Sequence, residues 1–373
     1  MKDVGLYIHI PFCRSKCSYC SFVSAVKDEG YIARYTTALR RELERVLSKN
    51  INVDTLYIGG GTPSAIKGEQ IERIVDTVKK YSVYAPREFT IECNPESIDD
   101  EKLAVYKRVG VSRVSIGVQS LSDRVLKSVG RLHDSKTAIE AVSKAVKYGF
   151  DVSVDMILGL PGSTFEDIDT FVDTFSDIGV DHISAYALKV EEGTRLFEEV
   201  ESGKTVILDD DAMADQYDRL HEKSLSCGYR RYEVSNFSKE NKESLHNMKY
   251  WEMDEYIGVG ASAHSYFGSK RYYNVEDVDR YIENVENGIF IEEKEEDVVA
   301  DTLFEETLML GLRLEKGVAL SKLDDILGGS FVDKYRGRID KARDFVDISN
   351  GRLAIKPAYM PVMNSIIIKL LYD

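Results

Sequence analysis

Short β-branched runs alternate with longer amphipathic stretches through the first half of this chain, and that alternation restricts its fold more than any other feature. Strand patterns fall at 5–10, 54–59, 88–93, 113–118, 151–158 and 182–188, and helical patterns at 31–49, 65–81, 99–109, 135–148 and 165–178. Strand, helix and strand repeated in this way build a parallel sheet with right-handed crossovers. Pattern alone leaves open whether the sheet stays flat or curls. The chemically distinctive residues sit at strand ends, which favours a partial (β/α)6 barrel, since barrels collect function where C-terminal strand ends meet the following loops.

The chain has 373 residues, enough for such a barrel and further structure. A helix is expected at 209–225 and a further strand at RYEVSNF from Arg231. EEKEED at 292–297 reads as a solvated linker or helix start, and a domain boundary is placed there. From Thr302 onward, helical patterns and a hairpin signal in VDISNGRLAI point to a small helical or winged-helix-like unit. The expected organisation is α/β, with the barrel at 1–210, an extension at 211–297 and a C-terminal domain at 298–373.

A formal net charge of -15 opposes association with a phosphate backbone, so no nucleic-acid partner is expected. No run approaches the ~18 apolar residues of a membrane span, and the first residues lack the charged start and apolar stretch of a secretion signal. The expected location is cytoplasmic. Three of the five cysteines lie within eight residues, a spacing suited to metal rather than to disulfides.

Those three are Cys13, Cys17 and Cys20, in a CxxxCxxC loop directly after the first strand. Three thiolates from one loop can hold three irons of a cubane and leave the fourth open for chemistry. Arg14 and Lys16 favour the thiolate forms. A zinc site completed by His9 or Cys93 is the alternative, although no second Cys/His hook of the usual structural kind is present. Cys93 and Cys227 are isolated and read as core thiols.

At the second strand end, Gly59-Gly60-Gly61-Thr62-Pro63 offers backbone that a ligand can approach closely, or simply a turn. Glu92, Gln119 and Asp155 end or nearly end the next three strands. Arg131 follows the fourth, where its guanidinium suits a carboxylate. Each carboxylate alone could be a solvated or capping group; their matching positions argue for a shared site.

CxxxCxxC after an early strand resembles the signature of the radical S-adenosylmethionine (SAM) superfamily. That resemblance implies a 4Fe-4S cluster whose open iron binds the amino and carboxylate groups of SAM, with one-electron cleavage to a deoxyadenosyl radical. YIHIPFC, GGGTPS, ECNPE, SIGVQS, GRLHD, DMILGLPGST and ISAYAL followed by EEGT resemble, more narrowly, the oxygen-independent coproporphyrinogen III oxidase family. The resemblance implies SAM contacts from Tyr7, Gly60, Gly61, Thr62, Glu92, Gln119, Arg131 and Asp155. His9 shares a strand face with Tyr7 and either lines the site or serves the core.

Phe22 stands where the oxidases carry a further cysteine, and only six residues precede Tyr7 where the oxidases have an extension. Both features match the family's haem chaperone branch. So does His246-Asn247-Met248-Lys249-Tyr250-Trp251, an HNxxYW segment that the resemblance associates with haem; His246 is the expected axial ligand, with Tyr250 and Trp251 beside it and His133 and His264 as rivals. The expected function is binding haem and delivering it to acceptor proteins, with an electron donor needed if SAM is cleaved. The alternative is radical decarboxylation of coproporphyrinogen III. Whether the chain acts as an enzyme on SAM stays open at this level.

Overall fold

In the computed structural model, which describes residues 1–289 and 292–372, six parallel strands run side by side in chain order. They are β1 (Lys2–Ile10), β2 (Ile51–Gly60), β3 (Val83–Cys93), β4 (Arg113–Gln119), β5 (Asp151–Leu158) and β6 (His182–Ala187). The connections are α1 (Glu29–Val46), α2 (Gly68–Tyr81), α3 (Asp100–Val109), the pair α4 (Asp123–Ser128) and α5 (Ser135–Lys147), and α6 (Phe165–Ile178). Local chemistry sets the helix ends. Asp28, Asp99 and Asp134 each accept the backbone N–H three residues on, from Tyr31, Lys102 and Thr137. Gly110 and Gly179 stop α3 and α6 at φ +101° and +92°, a conformation that a side chain disfavours. Helix α2 starts three residues later than its pattern predicts because Pro63–Ala65 forms a 3-10 turn first.

Residues from β2 through β6 line one cavity of about 400 Å³, which a flat sheet would not enclose. The strands therefore curl into the expected partial barrel. Apolar side chains such as Val114, Ile116, Val152 and Val154 face the helices and are fully buried. Thr90, Ser115, Ser153 and Ser184 face the lumen instead. A closed β/α barrel fills its interior with branched apolar layers; short hydroxyl side chains leave this one open.

Beyond the barrel come α7 (Arg195–Glu201), α8 (Asp210–Ser226), β7 (Arg230–Arg231), β8 (Asn236–Ser238), α9 (Leu245–Trp251), β9 (Tyr256–Val259), β10 (His264–Phe267), β11 (Lys270–Asn274), α10 (Val278–Glu286) and β12 (Glu292–Asp297). They extend the sheet at both edges, β8 and β7 beyond β6, and β9 to β12 beyond β1. Two sequence expectations are corrected here. RYEVSNF is not one strand: a turn, in which the Glu233 carboxylate accepts from Ser235 N at 3.0 Å, splits it into the antiparallel pair β7 and β8. EEKEED is neither linker nor helix start but the edge strand β12. Its partner β11 sets Lys270 opposite Asp297 and Arg271 opposite Glu296, so the acidic run meets a basic one. Edge strands tolerate such charge because one side faces water.

The C-terminal part comprises α11 (Ala300–Gly311), β13 (Val318–Ala319), α12 (Leu320–Leu327), α13 (Phe331–Lys334), α14 (Arg336–Ala342), β14 (Val346–Ser349), β15 (Arg352–Ile355) and α15 (Met363–Tyr372). The predicted hairpin is β14 and β15, joined by Asn350 and Gly351, both at positive φ as such a two-residue turn requires. Phe304, Leu308, Phe331, Leu353 and Ile366 build a second apolar core, separate from that of the barrel.

Helix α9 closes the barrel floor. Glu88 on β3 accepts the backbone N–H groups of Leu245 and His246, both at 3.0 Å, and Lys249 forms an ion pair with Asp54 on β2 at 2.9 Å with both side chains 7% exposed. Asp54 also accepts from the more exposed Arg87 at 2.9 Å, so two cations share it. Lys249→Met removes one of these two cations and is expected to cost about 1 to 2 kcal/mol, read from chemical denaturation, and adding Asp54→Leu should recover part of that loss because an apolar pair is tolerated at such sites.

Candidate cluster and cofactor site

The cluster loop leaves β1 and is tied down on three sides. Cys13 N bonds Ala25 O at 3.1 Å, Ser18 N bonds Val129 O at 3.1 Å, and Leu196 N bonds Ser18 O at 2.8 Å. This brings Cys13, Cys17 and Cys20 onto the lining of the one barrel cavity. Burial raises the Cys13 and Cys20 thiol pKa values, while the Thr62 hydroxyl beside Cys13 and Lys16 near Cys20 oppose the rise. A bound cation reverses that balance in favour of thiolate. Among the described residues no three His, Cys, Asp or Glu side chains converge as ligands of a single ion. Three thiolates from one loop suit three irons of a cubane.

The glycine run works chiefly through closeness. A Cβ on Gly61 would lie 2.9 Å from the backbone N and O of Phe12, the residue before Cys13, and one on Gly60 would lie 2.6 Å from the His9 ring. Gly61 N also bonds Ile10 O at 2.9 Å. The end of β2 is thereby pressed against the start of the cluster loop, and Thr62 Oγ1 reaches Cys13 Sγ at 3.4 Å.

Glu92 faces the same space. It accepts from Tyr57 OH at 2.8 Å and from Gly60 N at 2.9 Å. Burial pushes its carboxyl up to about 7 and the nearby Asp155 adds to the rise. Asp155 accepts from Ser115 at 3.1 Å, and burial raises its pKa as well. Two buried carboxylates over one cavity suit a cationic ligand, which would restore their charge. Gln119 sits at φ +69° beside them.

Arg131 is half-buried and lines the cavity, but its Nη atoms are turned to protein. Nη1 points at Cys17 Sγ at 3.5 Å, and Nη2 bonds Asn94 Oδ1 at 2.9 Å and also Gly117 O. Only Nε lacks a partner. In this state the arginine bridges the cluster loop to β3 and β4 rather than presenting the open fork expected of it.

Of the residues expected to contact SAM, Gly60, Gly61, Thr62, Glu92, Gln119, Arg131 and Asp155 line the cavity with the three cysteines. Tyr7 does not. Its hydroxyl meets His9 Nδ1 at 3.0 Å and its ring packs on Tyr57, so it supports the site from behind. His9 Nε2 in turn reaches Val23 O in the cluster loop at 3.4 Å. The haem candidates also lie outside the lining. His246 is 0% exposed, with Nδ1 on Thr55 Oγ1 and Nε2 on Tyr250 OH, both at 2.9 Å. The nitrogen lone pair an iron would need already accepts a hydrogen bond. The rivals differ: His133 is buried against Val118 O at 3.0 Å, whereas His264 is exposed and stacks on Tyr273.

Two supporting residues escape sequence reasoning. Asn94 donates to Thr62 Oγ1 at 3.1 Å and accepts from Arg131, joining the glycine turn to the arginine. Tyr57 holds Glu92. The available signal was position, since Asn94 follows the strand-end Glu92 by two residues and Tyr57 shares its strand face with Gly59.

Cys17→Ala should abolish the spectrum of a reconstituted cluster, whereas Cys227→Ala, a position beside Asp173 and away from the cavity, should leave it intact. Glu92 supplies a pH signature. Its folded pKa is raised, so it becomes an anion only as pH climbs through about 7. Affinity for cationic SAM should therefore rise about tenfold between pH 6 and 8 by titration calorimetry, and Glu92→Gln should flatten that profile.

Comparison with known proteins places this site in a family. The radical SAM superfamily matches residues 7–175. The "Heme chaperone HemW" of Mycobacterium tuberculosis (strain ATCC 25618 / H37Rv) is 38% identical over 329 residues, covering 86% of this chain and 84% of its own. That of Bacillus subtilis (strain 168) is 34% identical over 341 residues, covering 90% and 87%. Among solved structures, coproporphyrinogen III oxidase (HemN) from Escherichia coli, a radical SAM enzyme, superposes with a TM-score of 0.85 over 99% of this chain and 90% of its own. At 20% identity that likeness concerns the fold. The chain belongs to the HemW heme chaperone family of the radical SAM superfamily.

Proposed function

We propose that this protein takes up haem and passes it to acceptor proteins, with a 4Fe-4S cluster on Cys13, Cys17 and Cys20 and SAM beside it in the barrel mouth. The observation that carries the reading is identity of 34–38% over most of the chain to relatives named as heme chaperones. Phe22 supports it over coproporphyrinogen decarboxylation, since an exposed phenyl ring stands where the oxidases have a cysteine. When bound, such a cluster supplies one open iron position and one electron, and an electron donor is a partner of this protein if that electron is spent on SAM. The chain's own part is to fix the loop through Thr62 and Arg131 and to face the cofactor's positive charge with Glu92 and Asp155. Among the described residues no helix is long and apolar enough to cross a membrane.

Haem needs a flat apolar surface, and the cavity rim offers one in Phe22, which is 67% exposed, Tyr186, which is 46% exposed, and Leu188. The alternative seat is α9, where His246, Tyr250 and Trp251 would first have to leave their packing. The rim is favoured because it is open. In a haem titration of the cluster-loaded protein, Phe22→Asp should weaken binding at least about tenfold. His246→Gln, which preserves the hydrogen bonds but not an imidazole ligand, should match the parent in affinity and Soret band. The reverse pattern, with saturable quenching of Trp251 emission, would move the site to α9. Protoporphyrinogen formed above background in an anaerobic assay would refute the chaperone reading.

A further inference from the structure

Below the cofactor residues, the lumen continues to the barrel floor and ends on groups that none of the roles above uses. Arg113 opens β4, its side chain 4% exposed. Its Nε bonds Glu88 at 3.1 Å, and its Nη2 bonds the carbonyls of Lys242 and Glu243 at 3.0 and 3.1 Å. Its Nη1 has no partner, and neither has the hydroxyl of Thr90, the residue paired with Arg113 across the sheet. Both residues line the cavity, together with Ser153, His182 and Asn247.

What this depth presents toward the cavity is an unmet N–H donor rather than a net charge. Glu88 neutralises Arg113 from the far side, but both of its oxygens are taken, by Arg113 Nε, Ser244 Oγ and the N–H groups of Leu245 and His246. His182 is held by Ser153 at Nδ1 and Tyr232 at Nε2. Burial and the Arg113 charge keep its pKa well below the ordinary value, so it adds no second cation. A buried guanidinium N–H without a partner, on a side chain that lines the cavity, calls for an acceptor.

We propose that this lower lumen is a second ligand site, taking a small monocarboxylate on the free face of Arg113 with Thr90 and Asn247 as neutral partners. A planar group with two acceptor oxygens matches the one free guanidinium nitrogen beside a hydroxyl and an amide. A phosphate dianion matches less well, because Glu92 and Asp155 stand in the lumen above. Depth selects shape. Arg113 precedes Gly117, whose carbonyl Arg131 binds, by four residues, or roughly 13 Å of strand at about 3.3 Å per residue. A slim unbranched acid can travel that far. The carboxylate could also be an arm of a larger ligand seated above, and only that version rests on the haem reading.

The test is equilibrium dialysis of radiolabelled propionate against the full-length, cluster-loaded protein. Saturable binding near one equivalent is expected. Arg113→Lys, which keeps a cation for Glu88 but lacks Nη1, should weaken it at least about tenfold, and Thr90→Val should weaken it several-fold. Cluster absorbance reports whether each variant is folded; if Arg113→Lys is not, Thr90→Val decides. Competition separates the sources. Displacement of propionate by haem but not by haem dimethyl ester assigns the site to a carboxylate arm, while failure of both to displace it assigns the site to a free acid. Absence of saturable propionate binding, or binding unchanged in the folded variants, overturns the proposal whether or not haem binds elsewhere.

Discussion

The contact on which the site depends is backbone against backbone: the glycine end of β2 lying on the first residues of the cluster loop. With a Cβ on Gly61 only 2.9 Å from Phe12 N and O, any side chain there would push the two segments apart. Thr62 would then leave Cys13, and Gly60 would lose the N–H that fixes Glu92. The cysteine loop, the cofactor-facing backbone and the first carboxylate are thus positioned by one close approach that requires glycine.

An open, polar lumen is the second constraint, and it follows from the small polar side chains that line the partial barrel. Hydroxyl side chains on β3 to β6 keep the interior accessible, but buried polar groups must find partners. Near the mouth these are found among residues that also face the cofactor space, such as Tyr57 with Glu92 and Ser115 with Asp155. At the floor, α9 satisfies Glu88 and Asp54 and seals the lumen from below. The HNxxYW segment therefore has a structural reason to exist apart from any ligand: His246 joins Thr55 to Tyr250, and Lys249 balances Asp54.

Much of the barrel was legible in the sequence because its determinants are local. Period-two and period-3.6 patterns located the six strands and the helices between them, and VDISNGRLAI marked the hairpin. The cysteine spacing and the strand-end positions of Glu92, Gln119 and Asp155 needed only a correct reading of where each strand stops. Pattern misled at two segments, one whose strand partner lies outside it and one that a turn within it divides. EEKEED looks like solvated linker until β11 supplies Lys270 and Arg271 across from it, and RYEVSNF looks like one strand until the turn at Glu233 divides it.

By itself, then, the sequence determined the β/α order, the cluster loop and the ring of strand-end carboxylates, all set by interactions within a few residues or by strand register. Tertiary structure alone decided which of these groups are free. Thr55 and His246 stand 191 residues apart, and Arg131 meets a cysteine 114 residues away. Such pairings cannot be read from period or spacing, because they arise only when the curled sheet brings distant segments to one lumen. They give His246 and Arg131 protein partners in this structure, and they leave the Nη1 of Arg113 unpaired at the barrel floor.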